Sequence, residues 1–241
     1  MIKSNLLSKI FFIAFIFFYL INSKIAISQK LSKDIFSQLE NSLNKGDFES
    51  INKFLNKNEK TKLKNKYSKI TKEFSNIKWK INEIDSPQSK KHILEIRLSG
   101  SKIMNERKFL LESKFNFLFS FDNGIISKSS IKNHITTIRN DQNKIDLEIS
   151  IPDKVLTGSN YDLDIFIKEP LGKKIIAGAL KEHNETLLLN ESILLEPLAS
   201  GGIFKVTRAP IKPGIQIWSG IIAHPEGLVS FTKSVDIVES F

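Results

Sequence analysis

The feature that most constrains this chain is a long alternation at its centre. Phe109, Leu111, Ser113, Phe115, Phe117, Phe119 and Phe121 fall on every second residue, opposed by Glu112, Lys114, Asn116 and Ser120. A period of two over that distance specifies one long strand with a single buried face. Asp122-Asn123-Gly124 follows at once, and Asn-Gly is the favoured centre of a tight hairpin turn, so Ile125–Ile131 is read as the return strand. The same period appears earlier, in Ile77, Trp79 and Ile81 and in Leu94, Ile96 and Leu98. These runs predict an antiparallel meander with a phenylalanine-rich face.

Upstream the period is helical. Leu31, Ile35, Leu39 and Leu43 share a face, Gly46 ends that helix, and Asp47 is placed to cap a second one carrying Phe48, Ile51, Phe54 and Leu55. A third stripe runs through Leu63, Tyr67, Ile70, Phe74 and Ile77, with Lys60, Lys62, Lys64, Lys66, Lys69 and Lys72 assigned to its outer face. Helices followed by a meander with one apolar face predict an α+β layer.

Downstream of the polar stretch Thr136–Asn143, every element reads as β. Ile145, Leu147, Ile149 and Ile151 alternate, as do Tyr161, Leu163, Ile165 and Ile167. The stretch Gly201–Gly227 carries two strand-like runs, Ile203–Thr207 and Ile215–Ile222, with Pro210 and Lys212-Pro213-Gly214 between them. Pro225-Glu226-Gly227 turns the second run into Leu228–Val238. Seven or eight short strands with regular turn signals predict a β-sandwich with Trp218 in its core.

The first residues differ from the rest. Lys3 and Lys9 bracket a basic start, Ile10–Ile21 is uninterrupted apolar, and Ala26-Ile27-Ser28 offers small residues at a cleavage position. That layout reads as a secretory signal peptide, leaving a mature protein from Gln29 in the periplasm or another extracytoplasmic compartment. An uncleaved inner-membrane anchor is the alternative. The absence of cysteine excludes disulfides, thiol catalysis and cysteine-based metal sites.

The helix–Gly46-Asp47-Phe48–helix opening, the helix running into the Trp79 strand, and the long strand turning at Asp122-Asn123-Gly124 resemble the nuclear transport factor 2-like α+β cone over Gln29–Ile135. The β-rich remainder resembles the broad immunoglobulin-like class over Lys144–Phe241. Together they imply residues 1–28 as signal peptide, 29–136 as the cone, 137–143 as a linker and 144–241 as the sandwich. Enzymes with the cone place an Asp, His or Tyr inside it, whereas the inward strand face here is phenylalanine. The resemblance therefore implies a binding domain, with an isomerase, dehydratase or hydrolase-like activity as the alternative.

The residues that carry chemistry are sparse. His92, His134, His183 and His224 stand far apart, and none has metal-ligand spacing. No nucleophile elbow or phosphate loop occurs, so no catalytic residue, metal or cofactor is assigned and no nucleic-acid partner is expected. Asp162 and Asp164 share the outer side of a strand, the pattern of a solvated face. Tyr67, Trp79 and Phe117 are the residues expected to line any ligand pocket in the cone. Charge is unevenly divided: Thr137–Phe241 holds eleven basic and fourteen acidic residues, net −3, whereas Gln29–Thr136 carries net +10. The six lysines of the third helix are the candidate contact with an anionic polymer or membrane surface, and the sandwich is the candidate contact with an envelope protein. The expected function is an exported, non-catalytic binding or scaffolding protein of the bacterial cell envelope.

Overall fold

The computed structural model describes residues 35–84, 92–122, 125–140, 145–169, 174–183, 194–198 and 200–241. The signal segment, Asn123-Gly124 and residues 141–143 of the expected linker lie outside the described residues. Among the described residues, three helices come first: residues 35–45 (α1), Phe48–Asn52 (α2) and Lys57–Glu73 (α3). Twelve strands follow: β1 Ser75–Ile84, β2 His92–Met104, β3 Arg107–Asp122, β4 Ile125–Asn140, β5 Leu147–Ser150, β6 Lys154–Leu156, β7 Asn160–Ile167, β8 Ala177–His183, β9 Glu196–Pro197, β10 Gly202–Arg208, β11 Gly214–His224 and β12 Gly227–Val238.

The expectation of an α+β cone followed by an immunoglobulin-like sandwich is corrected by the strand order. Nine strands form one sheet, β1-β2-β3-β4-β12-β11-β8-β9, with β6 also paired to β12. The meander of the first half is thus hydrogen-bonded to the last strand of the chain, Val229–Lys233 lying opposite Arg139–Ile135. Strand accounts for 61% of the described residues and helix for 18%, so the described helices are too few to wall a cone. Thr136–Asn140, read as a polar boundary, is the end of β4. Its polarity has a physical source: there β4 has a solvated face on one side and a row of hydroxyls on the other.

Registers define the two faces of the large sheet. Trp79, Leu98, Ser113, Thr136, Thr232, Ser219 and Lys181 stand directly opposite one another in sequence across six strand pairs and so share a face. Helix α3 covers that face: Tyr67 stacks on Trp79, ring centroids 6.1 Å apart, and the buried Glu59 carboxylate accepts from the Ser129 hydroxyl of β4. The helix begins where Asn56 caps it, its Oδ1 accepting from Glu59 N at 3.0 Å, as a capping asparagine does. The Asn56 amide also donates to the Ser127 carbonyl at 2.7 Å, which ties the helix start to β4.

A three-stranded sheet, β10-β7-β5, packs on the opposite face of the far half. The shared core contains Tyr161, Leu163 and Ile165 from the small sheet and Trp218, Ile222, Phe231, Val235 and Ile237 from the large one. Two layers sharing a core are what a half-apolar strand pattern requires. Across it, Trp218 Nε1 donates to the Tyr161 hydroxyl at 2.8 Å, which donates to Gln216 Oε1 at 2.6 Å. All strands belong to a compact unit spanning Asn52–Phe241. In the unit that ends at Ile51, Gly46 closes α1 with φ 69°, and Asp47 caps α2 by accepting from Ser50 N at 3.2 Å.

Candidate binding surface

Of the three residues expected to line a pocket, two meet. Tyr67 and Trp79 stack with an interplanar angle of 11°, and Trp79 is buried under the helix. Phe117 shares their sheet face but lies in a separate ladder, against Phe119, which also stacks with His92. Of the six lysines, Lys62 is held by the Glu59 carboxylate at 2.9 Å, and Lys66 lies near enough to His134 to repel its proton. At 100° per residue the six are spread around much of α3 rather than along one outer stripe.

The most concentrated polar chemistry is at His134, on a bulge. Between the pairs Lys114↔Ile135 and Asn116↔Lys132, β4 carries one residue more than β3, and Asn133 takes φ 50°. Bulges re-aim side chains in this way. There His134 Nε2 lies 2.7 Å from Thr136 Oγ1, which lies 2.6 Å from Ser113 Oγ. The His134 amide, at the end of the ladder to β12, donates to Ser234 Oγ at 2.9 Å. Burial holds the imidazole below its ordinary range, and the Lys66 and Lys233 cations push it the same way. A neutral imidazole on a hydroxyl chain, with Phe115 edge-on to it, forms an ordered polar seam between α3 and the sheet.

A more accessible feature lies on the small sheet. Its core-facing side includes Tyr161, Leu163 and Ile165, and the β7–β10 register sets Ile203 opposite Ile165 and Lys205 opposite Leu163. Lys205 therefore points inward at the rim, where its ammonium lies 5.3 Å from the Trp218 ring, a cation–π contact. Phe204 and Val206 point outward, 56% and 66% exposed. The strand thus turns Phe204 and Val206 to solvent and sends Lys205, with Ile203, toward the core. Gly202 fixes this arrangement: a Cβ there would stand 2.4 Å from the Ile165 carbonyl oxygen, so the strand seats closely only with glycine. A slip of one residue would reverse both faces.

Phe204 stacks on Phe166, centroids 6.1 Å apart, and the outward neighbours are acidic: Asp164 stands opposite Phe204 and Asp162 opposite Val206. Among the described residues, β10 pairs only with β7 and so forms an edge of its sheet. The result is an edge strand with an aromatic pair, an exposed valine and an acidic border.

Sequence reasoning located β10 but not this face. The available signal was Gly-Ile-Phe-Lys-Val-Thr-Arg itself: neighbouring apolar residues at Ile203 and Phe204 cannot both enter one core. Asp162 and Asp164, read as a solvated strand face, lie on the outer side of the sheet beside it. Among the described residues, no three His, Asp or Glu gather to hold a metal ion, and no helix is long and apolar enough to cross a membrane. Residues 142–238, which span β5 to β12, match a family described as a domain of unknown function (DUF8623), and no curated protein matches the chain.

Proposed function

We propose that this is an exported, non-catalytic binding or scaffolding protein of the bacterial cell envelope, and that its protein partner docks on the β10 edge. The observation that carries this reading is the outward pair Phe204 and Val206 on an edge strand. Exposed apolar strand edges invite pairing with another chain and are ordinarily blunted by charge or proline. Here the charge of Lys205 is turned inward, and the outward side of the edge presents an aromatic anchor. Export is supported by the sequence layout of residues 1–28.

An extended segment adding to β10 would gain main-chain hydrogen bonds for affinity and use alternate side chains for specificity. Phe204, Phe166 and Val206 favour apolar side chains on that segment, and Asp162 and Asp164 favour basic ones beside them. A photoreactive phenylalanine analogue at position 206 should crosslink a partner in intact cells. Phe204→Ser should remove the crosslink while leaving the melting temperature unchanged, because loss of a central aromatic anchor costs about 2 kcal/mol or more, roughly thirtyfold in affinity. An equal crosslink in the serine variant would refute the reading.

A further inference from the structure

Among the described residues, the β2–β3 hairpin outruns its neighbours. The last β1 pair on β2 is Ser75↔Ser101, and the last β4 pair on β3 is Asn140↔Phe109. Beyond them, Lys102–Lys108 continues as a two-stranded projection with Ile103 opposite Lys108 and Met104 opposite Arg107. Its turn is Asn105-Glu106, with φ 49° and 63°, the two positive values of a tight I′ turn that keeps the tip narrow. Ile103 is 78% exposed and Met104 49%. Around them stand Lys102, Arg107 and Lys108 against the single acid Glu106.

Behind the tip, the large sheet face not covered by α3 is cationic. Lys80, Arg97 and Lys114 stand directly opposite one another on three adjacent strands. Like charges in that position oppose sheet formation. Glu95 relieves part of the repulsion through ion pairs to Arg97 and Lys114, both at 2.8 Å. The register nevertheless places Lys80 beside Arg97, with Lys78 two residues earlier on the same face.

We infer that the hairpin tip is a membrane-docking element that inserts Ile103 and Met104 into an anionic lipid surface. Arg107 and Lys108 would then sit at headgroup level, Lys102 lies behind them with its ammonium 5.0 Å from the Phe74 ring, and the cationic sheet face would supply longer-range attraction. A soluble polyanion would satisfy the cations but offer nothing to the two apolar side chains, whereas a lipid surface answers both. This inference is independent of the β10 partner, since it uses different strands and different chemistry.

The chain has no cysteine, so one introduced thiol can be labelled without ambiguity. Full-length protein carrying Met104→Cys with an environment-sensitive dye should be mixed with vesicles of phosphatidylcholine alone, and with vesicles containing phosphatidylglycerol. The inference predicts a blue shift on the anionic vesicles only, and none for the same dye at Ser150→Cys. Arg107→Gln with Lys108→Gln should weaken the response by about thirtyfold, since each basic residue near such a surface contributes roughly fivefold. The dye reports the tip itself, so a chain carried to the vesicle by Ile10–Ile21 would leave it unshifted and overturn the inference. An equal shift on both vesicle types would overturn it as well. So would tight binding to dextran sulfate that left the dye unchanged on anionic vesicles.

Discussion

Replacing Tyr161 with phenylalanine removes one oxygen from the core between the two sheets and leaves the side chain's shape nearly unchanged. That oxygen accepts from Trp218 Nε1 at 2.8 Å and donates to Gln216 Oε1 at 2.6 Å. Tyr161, Trp218 and Gln216 are 7%, 2% and 5% exposed, so water does not readily replace it. Burial raises the phenol's pKa above its ordinary value, outweighing the hydrogen bond from Trp218 that lowers it, so the hydroxyl stays protonated and able to donate. Tyr161→Phe strands one buried donor and one buried acceptor, each costing about 1–3 kcal/mol. The expected loss is about 3 kcal/mol, or roughly 6–12 °C in Tm for a domain of this size. Denaturant titration of the variant, of Gln216→Leu and of the double variant should show strong coupling. The double variant should be more stable than Tyr161→Phe alone, because removing both partners costs less than orphaning one. A loss below about 0.5 kcal/mol, or simple additivity, would refute a hydrogen-bonded bridge between the layers.

Two further predictions follow from the fold. His134 is held below its ordinary pKa by burial, so the unfolded chain binds that proton first and stability falls as pH drops below about 6.5. His134→Gln should flatten the fall in urea-derived stability below about pH 6.5. Glu95, held low by hydrogen bonds from Lys114 and Arg97 against the opposing effect of burial, loses its contribution only below the ordinary carboxylate range; an unchanged slope in the variant would remove His134 as the source. Gly202→Ala puts a methyl group 2.4 Å from the Ile165 carbonyl oxygen and 2.7 Å from Phe166 Cβ. It should cost about 2 kcal/mol or more by displacing β10, and should alter hydrogen exchange at Phe204 and Val206 before it does so elsewhere.

What the sequence makes legible here is local. Period-two runs mark β1, β2, β3 and β7, apolar runs set off by Pro and Gly turns mark β11 and β12, the Gly46-Asp47 break separates α1 from α2, and Trp218 is core as expected. Which strand edges meet is not a local property. The Thr136–Asn143 stretch looks like a connection because its side chains are polar, yet Thr136 is polar in order to join Ser113 and His134. Thr137 and Arg139 are polar because they face away from α3. Similarly, alternation in β10 cannot reveal that Phe204 faces out. That follows from its pairing with β7 and from the missing side chain at Gly202. The bulge at Asn133 leaves no mark in the hydrophobic pattern, so the polar seam around His134 appears only when β3, β4, β12 and α3 are assembled.

The pairing of β4 with β12 joins the two halves of the chain into one sheet. Thr136 and Thr232 stand directly opposite in that pair, and Thr232 stands opposite Ser219 in the β11–β12 hairpin. In a chain without cysteine, Thr136→Cys with Thr232→Cys tests the first pair, and Ser219→Cys with Thr232→Cys serves as control. Facing Cβ atoms on paired strands lie about 4.5–5.5 Å apart, near enough for a disulfide with a small adjustment. Mild oxidant should close both bonds in native protein, and denaturant should slow the 136–232 bond far more than the control. If the control closes while 136–232 stays reduced under native conditions, the two halves are not joined in one sheet.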